Sequence, residues 1–378
     1  MLYAWNYFQN QLQLIMTSRA FYLLAALVFL LPNGVIALSS PHPEHPRPQF
    51  FREKWLNLKI AEKLVSLAST RANFVPGAIW PDNQGVHINA HGGGIIHTNG
   101  RYYWFGEYKT GGPEGNTAMV GVSCYSSENL YEWKNEGIVL SVSDDTTSVI
   151  RKGCVIERPK VIFNKATGKF IMWFHHELFG QGYCAAMSGI AVADAVNLLG
   201  RDFSRGQMAR DMTLFVDGDG KAYHIYSSEE NSTTQISLLT DDYLSYTGKY
   251  VRAFVGRYME APALFKHKGK YYFMGSDCTG WAPNAARSAV ASSIWGPWKE
   301  LGNPCRGTAE ENEKTFWSQS TYILPVEGKR NAFIFMADRW NPDNPIEGRY
   351  IWLAVQFDPA GKPFIRWMDQ WNLEESFN

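Results

Sequence analysis

Neither sign of charge prevails in this sequence: 36 Lys and Arg stand against 36 Asp and Glu over 378 residues. That balance excludes nucleic acid or an anionic membrane surface as the main partner. Cysteine is scarce. Its five residues, Cys124, Cys154, Cys184, Cys278 and Cys305, form no C-x-x-C pair and no Cys/His spacing suited to a metal. The odd count leaves at least one thiol unpaired, and the spacing gives no connectivity. No apolar run reaches the ~20 residues of a membrane span. Residues 20–31 are apolar, but Arg19 precedes them and Pro32-Asn33-Gly34 breaks them, with small residues following at Ala37-Leu38-Ser39-Ser40. This is the layout of a secretory signal, assigned to residues 1–39. Met16 makes the tidier start, because Met16-Thr17-Ser18-Arg19 gives a short basic lead; an uncleaved anchor is the alternative. The protein is expected to be exported, to the periplasm, the extracellular space or a secretory lumen, with no membrane contact after cleavage.

What the sequence has in quantity is aromatic: 15% of its residues, including 14 Trp and 19 Tyr. Flat rings suit sugar faces, and they also fill β-cores. Residues 40–72 begin Pro- and His-rich and read as a linker, followed over 53–69 by one short helix with Trp55, Leu58, Leu64, Val65 and Leu67 on its apolar side. From residue 73 to 378 the grammar is all-β: short alternating strands separated by turn signals.

Five hairpins recur. Their second strands read Arg101-Tyr-Tyr-Trp-Phe-Gly-Glu, Lys169-Phe-Ile-Met-Trp-Phe-His, Lys221-Ala-Tyr-His-Ile-Tyr-Ser, Lys270-Tyr-Tyr-Phe-Met-Gly-Ser and Arg330-Asn-Ala-Phe-Ile-Phe-Met. Each follows a Gly-bearing turn, at Asn99-Gly100, Thr167-Gly168, Asp219-Gly220, Lys268-Gly269 and Glu327-Gly328. The first and third are strong turn pairs, since Asn, Asp and Gly tolerate positive φ. The turn glycines are spaced roughly 50 to 70 residues apart, which suits one four-stranded blade with its loops. The predicted fold is a five-bladed β-propeller preceded by the short N-terminal helix. At one constant distance before the turn glycine stand His91, Asp211, Glu260 and Gln319; two residues further back, where the second turn is longer, stands Glu157. All five are polar and each opens an apolar strand. In a pseudo-fivefold ring these side chains converge on one end of the axis.

The strings Ala90-His91-Gly92-Gly93-Gly94, Trp104-Phe105-Gly106-Glu107, Glu157-Arg158-Pro159-Lys160-Val161, Arg210-Asp211-Met212, Glu260-Ala261-Pro262 and Ser318-Gln319-Ser320 resemble glycoside hydrolase family 43, and within it the exo-β-1,3-galactanase branch. The resemblance implies an inverting exo-glycosidase that releases galactose from β-1,3-galactan, as in arabinogalactan-type backbones. Such chemistry needs an acid for the leaving oxygen and a base for water, about 6.5–9.5 Å apart. Glu260 matches the family's general acid and Asp211 the residue that tunes it. Most of the family carries a base Asp near the position of His91; its absence here is shared with the galactanase branch. Gln319 and Glu157 remain as the two groups for handling the water. Glu107, His91, Asn231, Thr279 and Trp281 match substrate-binding positions, Trp281 by stacking on a galactose face. Asn231-Ser232-Thr233 is also a glycosylation sequon. No cofactor or metal is required by the resemblance, although a channel ion such as calcium near His91 is compatible with it, and a monomer is expected. Another family activity (arabinofuranosidase, xylosidase or galactofuranosidase) and an inactive glycan-binding propeller are the rival readings.

Overall fold

The computed structural model describes residues 72–192, 195–199 and 208–377. The signal segment, the linker and the helix expected over 53–69 lie outside the described residues. Among the described residues no helix is long and apolar enough to cross a membrane.

Among the described residues twenty strands form five four-stranded antiparallel sheets. Blade one holds β1 (His91–Thr98), β2 (Arg101–Lys109), β3 (Met119–Ser127) and β4 (Lys134–Ser141). Blade two holds β5 (Val155–Asn164), β6 (Lys169–Glu177), β7 (Met187–Val192) and β8 (Ala195–Leu199). Blade three runs through β9 (Met212–Val216), β10 (Ala222–Ser228), β11 (Thr233–Leu239) and β12 (Tyr246–Ala253). Blade four runs through β13 (Glu260–His267), β14 (Lys270–Ser276), β15 (Arg287–Ala291) and β16 (Lys299–Gly302). Blade five runs through β17 (Gln319–Pro325), β18 (Phe333–Arg339), β19 (Arg349–Phe357) and β20 (Pro363–Ile365). Each sheet keeps its strands in chain order, so the chain is the five-bladed propeller that its hairpins predict.

Two second strands start later than the sequence expectation: blade three's by one residue, at Ala222, and blade five's by three. Blade five's second strand starts at Phe333, not Arg330, because the turn continues through Asn331 in the left-handed region (φ 64) before Ala332 closes against Val326.

Both faces of each blade are apolar, and the core is divided among the blade interfaces. Phe105, Val122, Ile156, Phe170 and Phe174 fill the space between blades one and two, and Tyr223, Ile225, Leu264 and Phe273 that between three and four. The ring closes without exchanging a strand. Instead the segment leading into β1 lies across blade five: Phe74 bridges Trp371, the Gly77 amide donates to Tyr350 O, and the Tyr350 hydroxyl donates to Ile88 O. Trp104, Trp133, Tyr350 and Trp352 meet edge-to-face at this seam, with Trp104 and Tyr350 centroids 4.6 Å apart. Gly106 sits where the chain runs hard against itself. A Cβ there would lie 2.1 Å from the Ala90 backbone, which has nowhere to go. Gly106→Ala should destabilise the protein by about 3 kcal/mol, read from urea unfolding.

Three innermost strands carry the same irregularity near their starts. The register slips between His91 and Gly94, Glu157 and Lys160, and Glu260 and Ala263. The residue at the bulge is left-handed each time: Gly92 (φ 61), Arg158 (φ 54) and Ala261 (φ 51). Each frees its backbone N–H from the ladder and aims it at a carboxylate of the preceding blade: Gly92 at Asp338, Arg158 at Glu107, Ala261 at Asp211. The bulges re-aim the strand starts, the usual role of such insertions, and stitch neighbouring blades together at one end of the axis.

Candidate active site

A cavity of about 390 Å3 opens at that end. Its wall brings together Glu107 from the end of β2, Glu157, Glu260 and Gln319 from the starts of β5, β13 and β17, Asp211 from just before β9, and Asn231 and Trp281 from loops. The strand starts converge because their partners are equivalent around the ring: Glu157 faces His175, Glu260 faces Ser276 and Gln319 faces Asp338. A larger hollow of about 840 Å3 lies elsewhere, between residues 73–83 and blade one, and shares no residue with this one.

Glu260 receives a hydrogen bond from Asn231 Nδ2 at 2.7 Å, and Cys278 Sγ stands 3.1 Å from the same carboxylate oxygen. Burial, and then the negative charge of Asp211, push its carboxyl up to about 7, against the opposing pull of Cys278 and Arg158. A proton is therefore held near neutrality by an acid that in water would have lost it.

Asp211 is gripped through both oxygens by Arg158, with Nε and Nη2 each at 2.9 Å, and accepts the Ala261 amide at 3.0 Å. The guanidinium reaches further, donating to Gln319 Oε1 at 2.6 Å and Ser320 O at 3.1 Å, and lies 5.2 Å from the centre of the Trp340 ring. Gln319 is held on both sides of its amide. Its oxygen also accepts from Trp340 Nε1 at 2.9 Å, and its nitrogen donates to Ser276 Oγ at 3.0 Å.

Glu157 accepts from the Tyr183 hydroxyl at 2.6 Å and from His175 Nδ1 at 2.9 Å. Its burial would raise its pKa, but the His175 contact outweighs this and holds it down to about 2. Glu107 is buried beside Lys109, whose ammonium also donates to Asn116 and lies 6.0 Å from the Trp281 ring centre and 5.9 Å from that of Trp340. Trp281 and Trp340 stand edge-to-face at 5.7 Å and continue into an adjoining hollow of about 370 Å3 with Trp317 and Arg339.

Two expected positions fall elsewhere. His91 does not reach the cavity: it is 1% exposed and stacks on Tyr350 at 5.0 Å, its ring nitrogens unpaired and Asp338 3.8 Å away. The carboxylate that blade one supplies is instead Glu107, which fills the space above Gly92; a Cβ on Gly92 would lie 2.1 Å from Glu107 Oε1. Thr279 braces its own loop, donating to Ala282 O and accepting from Asn284, while Cys278, Gly280 and Trp281 present the loop to the cavity. Asn231 turns its amide inward onto Glu260, so a glycan at the sequon would stand in the cavity.

The axis below the site is filled by Lys160. Its ammonium donates to Gly92 O at 2.8 Å and Arg158 O at 3.3 Å, above a void of about 10 Å3 lined by innermost strands of four blades. Among the described residues no group of three His, Cys, Asp or Glu side chains could hold a metal. No disulfide links the described cysteines.

Sequence reasoning passed over Arg158, Lys109, Tyr183, Cys278 and Trp340. Strand alternation offered a signal for Lys109, two residues beyond Glu107 and hence on the same face; the others reach the cavity from a bulge or from loops.

A propeller whose axis ends in buried carboxylates, one of them raised toward neutrality, offers the acid and the ionised partner that glycoside hydrolysis needs. Residues 92–363 match the family model for glycosyl hydrolases family 43, and the chain belongs to that family. Among solved structures, a family β-1,3-galactosidase bound to galactodeoxynojirimycin is 47% identical with a TM-score of 0.73, over 79% of this chain and 100% of that one. An exo-β-1,3-galactanase from Phanerochaete chrysosporium, solved with β-1,3-galactotriose, is 33% identical with a TM-score of 0.72, over 82% of this chain and 70% of that one. A curated β-D-galactofuranosidase from Aspergillus niger is 23% identical over 219 residues, and the match spans 53% of this chain and 64% of its relative.

Proposed function

We propose that the enzyme removes galactose from the non-reducing end of β-1,3-linked galactan with inversion. The observation that carries this is the pairing of a proton-bearing Glu260 with ionised Glu157 across one cavity, in a chain similar over most of its length to β-1,3-galactosidases and exo-β-1,3-galactanases. Glu260 gives its proton to the departing glycosidic oxygen. Gln319 contacts the attacking water. Its oxygen is already taken by Arg158 and Trp340, which fixes the ordinary amide form and leaves an N–H to orient that water. Glu157 is the neighbouring carboxylate, held toward its ionised form by His175, to which the water's proton can pass. Trp281 and Trp340 offer aromatic faces for the sugar and the chain behind it. Export to a compartment holding polysaccharide agrees with the apolar run over residues 20–31.

The test is hydrolysis of linear β-1,3-galactooligosaccharides followed by proton NMR. Early release of α-galactose is expected. Early β-galactose would overturn inversion, and no release would overturn the specificity. The galactofuranosidase relative makes an aryl galactofuranoside the control substrate: turnover of that compound alone would transfer the assignment to the furanoside.

A further inference from the structure

Behind Glu157 lies a buried chain of charge that takes no direct part in the reaction as proposed. His175 is 1% exposed and stands between two carboxylates, with Nδ1 2.9 Å from Glu157 Oε2 and Nε2 2.8 Å from Glu177 Oε1. Glu177 is wholly buried. Its second oxygen accepts the backbone amides of Ala185 and Ala186 at 2.8 and 2.9 Å. Ala186 is left-handed (φ 46), a conformation that an alanine holds only where its surroundings compel it. The loop so pinned carries Tyr183, which returns to the cavity, donates to Glu157 Oε1, accepts from Asn116 and offers its carbonyl to Arg210. A closed circuit results: Glu157, His175, Glu177, the loop amides, Tyr183 and Glu157 again.

We infer that His175 and Glu177 are positioning residues, which keep Glu157 a fixed carboxylate and lock the Tyr183 loop to it. A ring whose two nitrogens both face carboxylates has a donor's work to do on each side, and only the imidazolium has two N–H groups. The alternative, a neutral imidazole, would leave one nitrogen lone pair against a carboxylate at a buried position. Of the remaining charges around the ring, His176 gives way to the imidazolium and Lys109 opposes it from a distance. On its own strand the neighbouring His176 is pushed down to about 4, first by burial and then by the charge on His175. From β2, Lys109 adds positive charge near Glu157, and Tyr183 approaches the ring at 5.8 Å between centroids. Desolvation, the largest single influence, disfavours the imidazolium; the hydrogen bonds to Glu157 and Glu177 overcome it and raise His175 to about 9. The doubly bonded ring is complete below about 9 and is lost as pH rises through that value.

The inference deepens the glycosidase reading, yet its first test needs no substrate. Histidine ring nitrogens are followed by 15N NMR between pH 5.5 and 8, with the His175 signal assigned by its loss in His175→Gln. Imidazolium shifts that do not move across this range are expected; a neutral tautomer at pH 7 would overturn the inference. The second test measures binding of β-1,3-galactobiose in a Glu260→Gln background, where no turnover interferes. Adding Glu177→Gln should weaken binding about tenfold and make it fall further as pH rises, because His175 then loses its proton nearer neutrality. Glu177→Asp should recover part of the loss. Affinity equal to the parent at every pH would show that Glu177 only fills space. Failure of the parent to bind galactobiose at all would overturn the galactan reading, while the NMR result would still decide the role of His175.

Discussion

Replacing Glu260 by Gln should lower kcat on β-1,3-galactooligosaccharides by about 10²–10⁴-fold, the contribution of a positioned proton donor. The side chain keeps its shape and its contact with Asn231, so binding should survive where turnover does not. The unaltered enzyme should lose activity as pH rises through about 7, because burial and Asp211 hold the Glu260 proton only to that point. That alkaline limb belongs to Glu260 and should be absent from the residual rate of the variant. Initial rates across pH 5 to 9 check both statements. A limb that persists unchanged in Glu260→Gln would assign the proton to another group.

Arg158→Met should be the most damaging single change to the floor of the site, costing about 3–5 kcal/mol of stability, as removal of one partner from a buried pair does. Arg158 binds Asp211 of blade three and both Gln319 and Ser320 of blade five from its place on blade two. Its loss leaves the Asp211 charge facing Glu260 without compensation, which should raise the Glu260 pKa further. Any residual activity should therefore extend to higher pH. That shift, measured beside urea unfolding, separates an electrostatic role from simple loss of fold. Lysine should not restore the site, since one ammonium cannot replace the two-pronged grip on Asp211 and reach blade five as well.

The repeat was legible because hairpin turns and the strand alternation of blades are local signals. The same periodicity located Glu157, Asp211, Glu260 and Gln319, since equivalent residues of a ring reach equivalent places. It failed at His91, where the glycine bulge turns the strand start into the seam with Tyr350 and yields the cavity to Glu107. It also failed where function depends on reach. Nothing local tells that the residue after Glu157 crosses the axis to blade five, or that Tyr183 returns from a loop to meet Glu157. Blade five's hairpin slipped for a related reason: a longer turn through Asn331 carries no glycine mark at its end.

The backbone stitches between blades bear on inheritance. Because Gly92, Arg158 and Ala261 each donate to a carboxylate carried by the blade before, the chemistry of the floor is owned by interfaces and not by blades. A chimera that swaps one blade for that of a distant relative would exchange half of one such pairing, or of two where blade one is swapped, and set a buried carboxylate against an unmatched neighbour. Loops such as the one bearing Trp281 join no pairing of this kind. They are the parts that recombination or directed evolution can exchange to change what the enzyme accepts, while the floor changes only when adjacent blades change together.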